Sequence, residues 1–117
     1  MTEPLPSVIR ILVEDGGVGP FWNGAWKGTG KNLLDFDDVP LSEEVRRRMQ
    51  AWAEAWGATY DPEYPPDSHF PTPAARLEWL AEGRTLAQQV ANELAGRAKV
   101  LYADYDTGET VEIPPTV

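Results

Sequence analysis

An α+β fold, two helices packed on one face of a three- to four-stranded, largely antiparallel sheet, is what three features of this 117-residue sequence predict. Residues 72–95 repeat apolar side chains at three- and four-residue steps, the spacing of a long amphipathic helix. Residues 7–13 are dense in β-branched side chains, and residues 99–105 and 110–113 are short alternating segments around a turn. The length suits one domain over residues 1–117.

Each element has a local reason. Val8, Ile9, Ile11 and Val13 surround Arg10 and Leu12, and because both alternating sets are apolar except at Arg10, this strand should be central. Residues 14–31 hold six glycines with Trp22 and Trp26 among them, which predicts a loop or loose hairpin. Two readings compete for these tryptophans: folded back over the core, which is preferred, or presented as an aromatic contact surface. The first helix opens at Ser42, a good cap, and runs to about Trp56 before Gly57, with Val45, Met49, Trp52 and Trp56 on one face. On its other side Arg46, Arg47 and Arg48 are expected to pair with Glu43, Glu44 and Glu54 along the helix.

Residues 58–71 carry prolines at 62, 65, 66 and 71, so they should cross the surface in an extended form, pinned by Tyr60, Tyr64 and Phe70. The long helix then has Thr72 as its cap, Pro73 in the first position and Gly96 as a left-handed stop. Gly83 within it costs about 1 kcal/mol relative to alanine, which predicts a close approach to the tryptophan-bearing helix. Asp106-Thr107-Gly108 suits a hairpin loop between the last two strands, and Pro114 and Pro115 should end the pairing and leave a loose tail.

Three patterns approach functional motifs and fail on their details. Residues 25–32, with Lys31, resemble a phosphate-binding turn, but Asn32 replaces the metal-binding hydroxyl and neither the strand nor the helix of that motif flanks it. Asp35, Asp37, Asp38, Glu43 and Glu44 put five carboxylates in ten residues, without the ligand spacing or the bend glycine of a calcium loop. They suit the positive end of the next helix instead. Asp67, Ser68 and His69 supply an acid, a hydroxyl and a base, but neighbours on an extended segment point apart, whereas a triad converges in space.

Charge and composition narrow the classes further. Nineteen acidic against ten basic residues give a net charge of −9, a field that repels phosphate backbones, so nucleic acid is not an expected partner. With no cysteine, thiol catalysis, zinc–thiolate sites and iron–sulfur clusters are excluded, and no cofactor or metal is expected. No apolar run approaches the ~20 residues of a membrane helix, and the opening residues lack a secretory pattern, so a cytoplasmic location is expected. The leading expectation is a non-enzymatic interaction module, an inhibitor or immunity-type partner of a basic protein such as a nuclease toxin, acting as a monomer or a homodimer. Its candidate contact residues are Trp22, Trp26, Asp35, Asp37, Asp38 and Tyr64. The competing expectation is a small-molecule-binding domain or weak hydrolase with the glycine/tryptophan loop as a lid over Asp35, Asp37 or His69. The bland reading of the acidity is solubility.

Several stretches together carry a family likeness: the opening strand, the Gly/Trp loop, Val39-Pro-Leu-Ser-Glu-Glu leading into a Trp-ending helix, the acidic crossing, and Ala81-Glu-Gly-Arg-Thr-Leu-Ala in the second helix. By these the chain resembles a recurrent family of short, acidic bacterial proteins of immunity type, over most of its length. The motifs are helix starts and packing residues, so the resemblance implies kinship and carries no functional residue with it.

Overall fold

The computed structural model describes residues 5–14, 17–61, 63–64 and 69–116. Four strands and two helices follow in the order β1 (Val8–Ile11), β2 (Phe21–Asn23), α1 (Glu43–Gly57), α2 (Pro73–Glu93), β3 (Lys99–Ala103) and β4 (Thr110–Glu112). The sheet order is β2-β1-β3-β4, which makes β1 a central strand. Its outer pairs are antiparallel, but β1 and β3 run parallel, with Ile9 opposite Val100 and Ile11 opposite Tyr102. The two helices supply the long crossover that a parallel pair requires.

The β1 alternation divides the sheet into two faces. Ile9 and Ile11, with Phe21, Val100 and Tyr102 beside them, are buried under the helices, while Val8, Arg10, Trp22 and Leu101 are half-buried on the opposite face. The core continues into Met49 and Trp52 of α1 and into Leu86, Ala87 and Val90 of α2. Among the described residues, no helix is long and apolar enough to cross a membrane.

Both helix starts are capped by side chains. The Ser42 Oγ accepts from the Val45 N–H at 3.3 Å, and the Thr72 Oγ1 accepts from the Ala75 N–H at 3.0 Å. The Ser42 N–H and hydroxyl in turn donate to Glu93 at 2.5 and 2.7 Å, so the start of α1 is tied to the end of α2. Gly83 packs as its position predicts. A Cβ there would lie 2.7 Å from the Trp52 ring and 2.5 Å from the Tyr102 hydroxyl, so this glycine admits both α1 and β3.

Some expectations need correction. α2 ends at Glu93 rather than Ala95, and the chain turns through 94–97, where the Arg97 and Ala98 N–H groups both donate to the Leu94 carbonyl. The hairpin loop spans 105–108, one residue more than expected, because Asp104 still pairs with Glu109; Gly108 does take a positive φ of 76°. Of the three aromatics expected to pin the crossing, Phe70 packs on Trp56 and Trp79, whereas Tyr60 and Tyr64 are exposed. The proline-rich positions 62, 65 and 66 of that crossing lie outside the described residues. The tail is held, not loose: Gln88 Nε2 donates to the Pro114 carbonyl at 2.9 Å, and the Thr116 N–H donates to Asn92 Oδ1 at 2.8 Å.

Candidate functional site

Trp52 of α1 and Trp79 of α2 face one another where the helices cross. Their rings stack with centroids 4.4 Å apart and planes 4° from parallel. The hydrogen bonds are reciprocal. The Trp52 indole N–H donates to the Trp79 carbonyl at 2.9 Å, and the Trp79 indole N–H donates to the Trp52 carbonyl at 2.8 Å. Each buried indole therefore finds the partner that burial demands, and the two helices are clasped in one register. Trp56, Phe70 and Tyr105 extend the cluster, with Trp56 4.9 Å from Trp79 and 4.7 Å from Tyr105. The Tyr105 hydroxyl accepts from the Val13 N–H at 2.9 Å and also bonds the Val13 carbonyl, which joins this cluster to the end of β1.

Beside the clasp lies an open groove of about 590 Å³. Ala51 and Ala55 of α1, Ala75 of α2 and Phe70 line it, with the edges of the largely buried Trp52 and Trp79. Glu78 and Glu82 stand one turn apart along α2 beside it, with Arg48 opposite. Arg48 donates to Glu82 at 2.5 Å and to Gln89 at 3.1 Å, whereas Glu78 is exposed and makes no ion pair among the described residues. Spacing in the sequence points to Trp52 and Trp79 as core. The three alanines carry no such signal, because a groove is marked by what its walls lack.

The residues singled out from the sequence are dispersed. Trp22, on β2, faces away from the helices, and its indole N–H donates to the Leu12 carbonyl at 2.8 Å. Trp26 is 44% exposed, its indole N–H donating to the Gly30 carbonyl at 3.1 Å. Neither wall of the groove comes from their loop. Tyr64 is exposed on the crossing, near an Asp61 side chain that accepts from its backbone N–H.

Asp35, Asp37 and Asp38 do gather, around a short 3₁₀ turn at Phe36–Asp38, but cations meet them there. Lys31 Nζ lies 2.6 Å from both Asp35 and Asp38, and Asp37 pairs with Arg46 at 2.8 Å. The hydrogen bonds to Asp35 and Asp38 raise the Lys31 pKa, and the bond from Lys31 lowers that of Asp38. Arg46 and Arg48 thus reach Asp37 and Glu82, not the glutamates of their own helix as the spacing suggests. Arg84 of α2 forks to Asp104 and Asp106 at 3.1 to 3.3 Å, which holds the Asp104 carboxyl below its usual range.

His69 places Nδ1 2.7 Å from the Phe70 carbonyl; Asp67 and Ser68, its neighbours in the triad-like pattern, lie outside the described residues. Among the described residues, no group of three or more histidine, aspartate or glutamate side chains is placed to hold a metal ion. What the geometry offers is binding chemistry: an open, largely apolar groove beside a fixed indole clasp, with carboxylates among its lining. A family model described as Serratia CdiI immunity protein-like matches residues 9–105. No curated protein matches the chain.

Proposed function

The chain belongs to the Serratia CdiI immunity protein-like family, and we propose that it acts by binding, as an immunity-type partner that neutralises another protein without a chemical step of its own. The observation that carries this reading is the family match, which spans both helices, strands β2 and β3 and all of β1 but its first residue.

The charge supports a basic partner, such as a nuclease toxin. Among the described residues, Lys31, Arg46, Arg48, Arg84 and Lys99 are engaged in ion pairs within the fold. Glu43, Glu44 and Glu78 stand outside those pairs and add to a net charge of −9. Such a field speeds the approach of an oppositely charged protein and weakens with added salt.

Co-expression tests the reading. Cells producing the protein encoded beside this gene should stop growing, and growth should return when this chain is made with it. Growth that stays arrested at equal expression would overturn the proposal.

A further inference from the structure

The groove beside the Trp52–Trp79 clasp combines three properties that the acidic loop lacks. It is apolar, lined by Ala51, Ala55, Ala75, Phe70 and the edges of two indoles that are otherwise buried. It is rigid, because each indole is bonded to the other helix's backbone, so filling it orders little that is not already ordered. It is also negative at one edge: two carboxylates, Glu78 and Glu82, accompany one guanidinium, and Glu78 has no cation partner among the described residues. At Asp35, Asp37 and Asp38, by contrast, Lys31 and Arg46 already answer the charge.

We propose that this groove is the docking site for a basic partner protein, receiving one apolar side chain among Ala51, Ala55 and Phe70 beside the clasp and a flanking lysine or arginine at Glu78. The inference rests on the immunity-type reading above and adds the surface and the chemistry of the occupant. An apolar anchor in a desolvated pocket is the usual centre of a protein interface. A long cationic side chain can lie its methylene stem across Ala51 and Ala55 while its head reaches the carboxylate. The groove is open along its length, which suits a side chain presented from a protein surface.

Titration calorimetry with the purified product of the neighbouring gene tests this. Ala55→Arg fills the groove and should weaken binding by about 100-fold or more, the scale of a lost anchor. Glu78→Lys should cost on the order of tenfold and flatten the salt dependence of association. Both positions are exposed, so both variants should melt like the wild type. Wild-type binding that neither substitution disturbs would overturn the groove while leaving the immunity-type reading in place. No wild-type binding at all would overturn both. A self-dimer that Ala55→Arg dissolves would give the groove to a second copy of the chain, and would overturn the proposal as well.

Discussion

Two regions of this molecule use tryptophan in opposite ways. Trp52 and Trp79 sit in helices with apolar neighbours at helical spacing, stack at 4.4 Å and satisfy each other's backbone. Trp22 and Trp26 sit among glycines, and their indoles bond to nearby backbone, Leu12 and Gly30, without joining the helix layer. The difference teaches that the residue type does not decide whether an aromatic builds the interior or decorates a surface. The stiffness of the backbone that carries it does. A helix fixes the direction of its side chains, so two helices can present indoles face to face; a glycine-rich turn must first be ordered by something else.

The comparison breaks most readily at the clasp. Replacing Trp79 with alanine should destabilise the fold by about 3–5 kcal/mol, from the lost burial and stacking and from the lost indole bond to the Trp52 carbonyl. Denaturant unfolding measures this, and a variant as stable as the wild type would remove the distinction. Next in size is Gly83→Leu, whose side chain would collide with Trp52 and Tyr102, at about 1–3 kcal/mol or more of overpacking.

The pH dependence should also differ between the two sides of neutrality. Burial pushes the Tyr102 phenol up to about 12 from an ordinary value near 10, so the fold favours its neutral form. That contribution is complete below the unfolded pKa and is lost as the pH rises through about 10 to 12. Tyr102→Phe should flatten the alkaline limb. Its hydroxyl is buried without a hydrogen-bond partner among the described residues, so the substitution should cost little at neutral pH. On the acid side, Asp38 in the loop region and Asp104 by the helices both have depressed pKa values. Their contributions are present above the ordinary carboxylate range and fade as the pH falls through their folded values, so Asp104→Asn should reduce the slope of acid unfolding. The smallest effect belongs to Trp26→Ala, expected within about 0.5 kcal/mol of the wild type by the same denaturant method, because it is exposed and stands outside the core.

How much could be read before the structure follows from the range of the interactions involved. Ser42 and Thr72 as caps, Gly108 in the last loop and the two amphipathic stripes are set by neighbours a few residues away, and they stand as the sequence suggests. Gly83 was legible too, since a glycine inside a strong helix needs a reason and close packing is the usual one.

The partners of Arg46 and Arg48 were not. Asp37 and Glu82 come from other elements, and along one helix Glu43, Glu44 and Glu54 look like the better match. The parallel pairing of β1 with β3 was hidden for a similar reason: strand direction depends on the path of the crossover, which no strand residue encodes. β2 was masked by the glycines around it, although Phe21 is fully buried against the core. The groove escaped notice because alanines on a helix read as neutral filler until Phe70, the tryptophan clasp and two carboxylates are seen beside them.

The contrast between the clasped helices and the glycine loop can be put to one direct measurement. Backbone amide exchange, followed with and without the purified product of the neighbouring gene, should slow across 51–58 and 75–82 and stay unchanged across 24–32. Protection confined to 24–32 and the acidic turn at 35–38, with the helix segments exchanging as in the free protein, would contradict the assignment of the contact surface to the groove.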